Sequence, residues 1–236
     1  MACAGSRRAE AAAPPAGSSE YADFGTAAHV LFAKGLRFGV AAETLTNDPA
    51  VLQPLALSLK AAREILGPRA FLVEQRLPAL DGLPEMWGTA DVAGFSPLWL
   101  VDTIIDLKFG EGVLVDAKEN LQLGIYALLA ARSFGVTEDG VTAWILQPRC
   151  DHPDGLARRH HWTCAALDRL EQGVREAAAA TIEPDAVRHA GAWCRWCAAA
   201  GTCAVRQAAP NIVPPAASRF FRPKPRWLFP VRSRGA

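Results

Sequence analysis

Apolar residues first recur at helical spacing between residues 24 and 32. Phe24, Ala27, Ala28, Leu31 and Phe32 predict a helix that starts near Ser19-Glu20 and carries His29. Asp48-Pro49 opens a second helix with Leu52, Leu55, Leu59, Ala62 and Ile65 as its stripe, and Gly67-Pro68 closes it. The period then shortens. Residues 70–77, 87–95 and 98–108 read as three strands joined by a Pro/Gly loop and by a turn at Ser96-Pro97, which predicts an antiparallel meander. Residues 118–134 return to helical spacing through Leu121, Ile125, Leu128 and Leu129. Residues 141–147 form a fourth strand. Because it follows a helical crossover, it is free to lie parallel to the third. Residues 158–163 (Arg-Arg-His-His-Trp-Thr) are too polar for a central strand and predict an edge. An Ala-rich helix over 167–180 precedes a cysteine cluster. Residues 1–19 are Ala/Pro/Ser-rich and read as irregular, and no internal repeat occurs. The expected fold is α/β, a mixed four- to five-stranded sheet flanked by helices.

Composition adds bounds. Half of the 236 residues are hydrophobic, enough for a real core and against global disorder. No apolar run is long enough to span a membrane, and no apolar segment follows the basic residues near the start, so the expected location is cytoplasmic with no membrane partner. The net charge of +1 hides an uneven distribution. Residues 219–236 hold six Lys/Arg and no acid, which leaves 19 basic against 24 acidic residues elsewhere. The chain therefore reads as one domain over 1–207, with a Pro/Arg-rich flexible tail over 208–236. Phe220, Phe221 and Trp227 lie among the tail arginines. That suits contact with nucleic acid as well as it suits a solvated end.

Candidate chemistry concentrates on the second and third strands. Asp106 and Lys108 share one face at the end of an apolar run, where a carboxylate and an amine are unfavourable unless paired or used. If the second and third strands form a hairpin, Asp91 and Asp106 converge on one hard cation, Mg²⁺ or Mn²⁺. Lys108 would then orient or deprotonate a water while the metal offsets charge on a phosphodiester. An ordinary salt bridge is the alternative. Asp116-Ala117-Lys118 repeats the Asp-x-Lys pattern but sits at a helix entrance, where Asp116 suits capping. Asp102 shares the face of Asp106 and is a weaker rival.

Five short patterns occur in order: Gly25-Thr26-x-x-His29, Gly88-Thr89-Ala90-Asp91, Asp106-Leu107-Lys108, Gln122-x3-Tyr126 and Cys194-x2-Cys197-x5-Cys203. Together they resemble the RecB-like branch of the PD-(D/E)XK nuclease superfamily over about residues 3–204. The wording is closest to uncharacterised phage-associated RecB-like proteins. CRISPR-associated RecB-like exonucleases and AddAB-type nuclease domains also look similar. The resemblance implies a restriction-endonuclease-like core. It implies metal binding by His29, Asp91, Asp106 and the Leu107 carbonyl, with Mn²⁺ favoured alongside Mg²⁺. It makes Asp91, Asp106 and Lys108 catalytic, and it gives Gln122 and Tyr126 roles in approaching DNA and shaping the site. The family often carries Glu four residues after the motif-one His, where this chain has Ala33.

The resemblance also implies a 4Fe–4S cluster on Cys3, Cys194, Cys197 and Cys203. A zinc site on His189, Cys194, Cys197 and Cys203 is the alternative. Cys150 and Cys164 read as small hydrophobes, and Trp193 and Trp196 as packing around the cluster. The implied function is hydrolysis of DNA phosphodiester bonds, exonucleolytic, in phage or prophage recombination or end processing, with phage recombination or replication proteins as partners. The rival functions are a catalytically inactive DNA-binding member of the same fold and a small zinc-binding regulator.

Overall fold

The computed structural model describes residues 3–14 and 20–209; the basic tail and Ser19 lie outside them. The chain divides into two units, and each is described by itself. Among the described residues the larger holds 23–170 and the smaller 3–14, 20–22 and 171–209.

In the larger unit, the helix around His29 is α2 (Glu20–Phe38) and the next is α3 (Pro49–Leu66). Pro49 fits the first turn of α3, where no intrahelical donor is needed, and the Asp48 carboxylate caps it by accepting from Ala50 N at 2.9 Å. Gly67, at φ 54°, ends it. The strands β1 (Ala70–Leu77), β2 (Gly88–Phe95) and β3 (Val101–Leu107) form the antiparallel meander the turns predict. After α4 (Leu121–Phe134), β4 (Val141–Leu146) lies parallel to β3, and β5 (Ala157–Trp162) closes the far edge antiparallel to β4. The sheet order is β1-β2-β3-β4-β5. The unit is thus an α/β fold with a five-stranded mixed sheet flanked by helices.

One core cluster joins Ala28, Phe32 and Leu36 of α2, Leu55, Leu59 and Leu66 of α3, and Val92, Ile105, Leu107 and Leu146 of the sheet. Side chains alternate faces along a strand, so the intervening Asp91 and Asp106 face away from these neighbours. The helix α4 is buried on nearly every side, from Leu123 to Ala131. Gly88 admits it: a Cβ there would stand 2.7 Å from the Tyr126 ring.

The strand β3 begins at Val101, not at residue 98, because residues 96–100 form the turn, with Trp99 in the left-handed region at φ 60°. The fourth helix starts at Leu121 rather than 118. Asn120, not Asp116, is its cap, accepting from Leu123 N at 3.1 Å. Arg158 on the edge strand is buried rather than solvated. Its guanidinium donates to the Val115 carbonyl at 2.8 Å and to Gln147 Oε1 at 2.6 Å, and Gln147 Nε2 donates to the Val113 carbonyl at 2.8 Å. This clamp holds the connection that carries Asp116 and Lys118. Burial lowers the Arg158 pKa from its ordinary value, and Asp116 opposes that shift.

Gly140 precedes β4 at φ 92°, and a Cβ there would lie 2.2 Å from the Trp162 carbonyl oxygen. Backbone strain and overpacking then act together. Gly140→Ala is expected to lower stability by about 3 kcal/mol or more in urea unfolding.

In the smaller unit, residues expected to be irregular form a short helix, α1 (Ser6–Ala11). Gly5 N donates to the Val187 carbonyl at 2.9 Å, Ala198 N to Glu10 Oε1 at 3.0 Å, and the Arg8 guanidinium to the Pro184 and Glu183 carbonyls. The unit also holds the part of α5 (Cys164–Ile182) from Glu171 onward, and α6 (Ala204–Gln207). Among the described residues, no helix is long and apolar enough to cross a membrane.

Candidate metal centre

The site forms where pairing between β2 and β3 stops. Their last pair at this end is Val92 with Ile105, one step before Asp91 and Asp106. With no backbone partner across the fork, Leu107 N donates to Asp91 Oδ2 at 2.7 Å. Leu107 therefore enters the site through its N–H. The other Asp91 oxygen, Oδ1, lies 3.0 Å from His29 Nδ1. Asp91 is 1% exposed and His29 17%. A buried carboxylate held by one N–H and one imidazole presents its remaining lone pairs as cation ligands.

Asp106 heads a second network. Gln122 Nε2 donates to Asp106 Oδ1 at 3.2 Å and to the Tyr126 hydroxyl at 3.0 Å, while Gln122 Oε1 accepts from Lys108 Nζ at 2.7 Å. Lys108 Nζ is also 2.6 Å from Asp106 Oδ2. The orientation is not that of a hydrogen bond, so this buried oxygen has a charge beside it and no hydrogen bond among the described residues. The Gln122 amide thus fixes the carboxylate and the ammonium together. Tyr126 is 1% exposed and supports Gln122 from beneath, so its position permits shaping of the site but offers no surface to DNA.

Burial pushes the Asp106 pKa above its ordinary 3.8; Asp91 adds to the rise, and Lys108 and His29 oppose it. A raised carboxyl pKa means that the folded state holds the proton more tightly than the unfolded state does. The stability it contributes is therefore complete below pH 3.8 and is lost as pH rises through the folded-state value. Asp106→Asn removes that loss. With chelator present, the variant is expected to be at least as stable as wild type at pH 7, with the advantage vanishing on acidification. Urea unfolding at both pH values checks this.

His29, Glu74 and Asp91 form the one trio among the described residues whose ligand atoms all lie within 4.8 Å of one another. Glu74 was not among the sequence candidates. Two carboxylates, of which Asp91 is buried, and one imidazole fit a divalent cation of the Mg²⁺ or Mn²⁺ class. The rivals separate from this centre. Asp102 pairs with Arg69 at 3.2 Å on the surface. Asp116, 76% exposed, meets His152 at 3.0 Å. A cavity of about 320 Å³ lies beside Asp116, Lys118, Trp144 and Arg158, and none of the candidate metal ligands lines it.

In the smaller unit, Cys3 Sγ accepts from His189 N at 3.4 Å and Cys194 Sγ from Gly191 N at 3.4 Å. Burial raises the Cys197 thiol to about 11. All six cysteines are free thiols. Among the described residues, no three of the sulfurs fall within 4.8 Å of one another. Cys150 and Cys164 lean on the Gly110 and Thr137 carbonyls as small half-buried side chains. Trp193 Nε1 donates to the His189 carbonyl at 3.0 Å, and the Arg195 guanidinium lies 4.4 Å from the Trp196 ring, as local packing requires.

A family described as Protein of unknown function (DUF2800) matches residues 51–213 of this chain. The matched span includes Glu74, Asp91, Asp106, Lys108, Gln122 and three of the clustered cysteines; His29 and Cys3 precede it.

Proposed function

The chain belongs to the DUF2800 family, and we propose that this protein is a metal-dependent DNA nuclease. One observation carries the reading: Asp91 and Asp106 stand side by side at the β2–β3 fork, with Lys108 Nζ tied to Asp106 and Gln122. A carboxylate pair beside an oriented ammonium, at the end of a sheet, suits hydrolysis of a phosphodiester. His29, Asp91 and Asp106 are among the side chains that would hold the cation. When bound, it would acidify a water and offset the charge growing on phosphorus.

The rest falls to the chain. Lys108 stands 18% exposed at the mouth of the site, where its ammonium can meet a phosphate oxygen or fix the water by hydrogen bonding. Gln122 keeps both partners in place and so acts as a positioning residue. The water gives up a proton to solvent as its oxygen adds to phosphorus, the P–O bond to the leaving strand breaks, and the departing alkoxide takes a proton from solvent. The order of motifs favours an exonuclease working in phage or prophage recombination or end processing, in the reducing cytoplasm, with recombination or replication proteins as partners.

The cysteines of the smaller unit extend the proposal. His189 N and Gly191 N already donate to two of the sulfurs. The order of the motifs favours a 4Fe–4S cluster on Cys3, Cys194, Cys197 and Cys203 over zinc. The test is anaerobic purification of the full chain, followed by assay on end-labelled single- and double-stranded DNA with Mg²⁺, Mn²⁺ or chelator. Release of labelled nucleotides in metal alone supports the proposal. Retention of DNA without turnover in either metal sinks it and leaves a binding module.

A further inference from the structure

Glu74 occupies an unusual place on β1. The β1–β2 ladder pairs Val73 with Val92 and Gln75 with Ala90, yet the pair between them, Glu74 with Asp91, is missing.

 The register on either side, Val73–Val92 and Gln75–Ala90, leaves Glu74 directly across from Asp91 all the same. Glu74 has φ 51°, in the left-handed region that a residue with a side chain rarely adopts. Asp91 and Asp106 are the next residues beyond the last β2–β3 pair. Glu74, Asp91 and Asp106 therefore stand at one level across three neighbouring strands, and α2 brings His29 to the same place.

Like charges on directly opposed strand positions repel. Here the Glu74 and Asp91 carboxylates converge, with a His29 ring nitrogen, to within 4.8 Å of one another. An imidazole carries at most one positive charge against two carboxylates, whereas a dication matches both. Next to them lies Asp106, 3% exposed, whose Oδ2 is 2.6 Å from Lys108 Nζ and whose carboxyl feels the charges of both Asp91 and His29. A site of one imidazole nitrogen and carboxylate oxygens lies between the all-oxygen preference of Mg²⁺ and the nitrogen preference of later transition metals, which suits Mn²⁺.

We propose that Glu74 is a metal ligand, which with His29 and Asp91 binds one divalent ion and sets a preference for Mn²⁺ over Mg²⁺. The inference rests on the metal-dependent reading of the same centre, but not on that centre cleaving DNA. Position 33 holds Ala, 6% exposed in the core, so α2 offers no carboxylate there. Glu74 supplies one from the opposite side of Asp91.

The test is Mn²⁺ binding to the full chain without DNA, read by the electron paramagnetic resonance of free Mn²⁺ and by calorimetry, with Mg²⁺ as the competitor. Glu74→Gln is expected to weaken Mn²⁺ binding by roughly tenfold or more and Mg²⁺ binding by much less. Glu74→Gly removes the same ligand while relieving the backbone. It is expected to melt, metal-free, at or above the wild-type temperature and to show the same loss of Mn²⁺ binding, which a purely structural role would not produce. Wild-type Mn²⁺ affinity in both variants overturns the inference. If DNA is cleaved while Glu74→Gln binds Mn²⁺ normally, the Glu74 assignment falls and the nuclease reading stands. If Mn²⁺ binding depends on Glu74 but no DNA is cleaved, the nuclease reading falls and Glu74 stands. A wild-type chain that binds no Mn²⁺ overturns both.

Discussion

Lys108→Ala and Asp106→Ala, made separately, are each expected to cut DNA cleavage by about 10³-fold or more in saturating Mn²⁺. Both variants are expected to keep the fold and most of the affinity for DNA. The two residues fail for different reasons. Asp106→Ala removes a buried carboxylate from the cation and frees Lys108 to drift from Gln122. Lys108→Ala leaves the three carboxylates at the fork and removes the one ammonium that meets Asp106. Metal binding therefore weakens in the first and survives in the second, and calorimetry separates them. The matched control is Asp116→Ala with Lys118→Ala, which repeats the Asp-x-Lys pattern on a surface connection facing His152. Its cleavage rate is expected to equal that of wild type. Retained metal-dependent activity in purified Lys108→Ala, or loss of it in the control, would refute the assignment.

The contrast between those two Asp-x-Lys pairs also marks what the sequence carried. Asp106 ends an apolar run, and an apolar run ending in charge is legible as a strand that buries a carboxylate. Asp116 has no such run before it. The meander was legible because a Pro/Gly loop and a tight turn separate its strands, and the parallel β4 because a helix intervenes. Glu74 was not legible. Its relation to Asp91 depends on the β1–β2 register, and a loop of ten residues between the strands leaves register free by one step or more. The only local signal was Glu74-Gln75-Arg76, a polar run inside an otherwise apolar strand. The polar 158–163 segment was legible as an edge strand, but the burial of Arg158 was not, because only its Val115 and Gln147 partners, far along the chain, account for it. The α1 helix was missed because six residues carry no periodic signal, and it is held by carbonyls and a carboxylate contact to residues more than 170 positions away.

Those same long-range contacts set up the second large effect. Gly5 N to Val187, Glu10 to Ala198 and Cys3 to His189 draw the first described residues onto the segment that carries Cys194, Cys197 and Cys203. Few apolar side chains back them: among the described residues of the smaller unit, Ala9, Val174, Cys194 and Ala199 are the buried hydrophobic ones. Such a unit depends on a staple, and structural metal binding contributes on the order of 10 kcal/mol in small domains. The full chain purified without oxygen is expected to be brown, with about four irons per chain. Cys197→Ser is expected to bleach it and to open the smaller unit to proteolysis near Glu183–Val187, while the sheet of the larger unit keeps its unfolding midpoint. Cys3→Ser and His189→Ala decide between the two donor sets. If the cluster is iron–sulfur, Cys3→Ser loses the metal and His189→Ala keeps it. If the outcome is reversed, with one zinc per colourless chain, the cysteines form a zinc site and Cys3 serves only as the acceptor for His189 N.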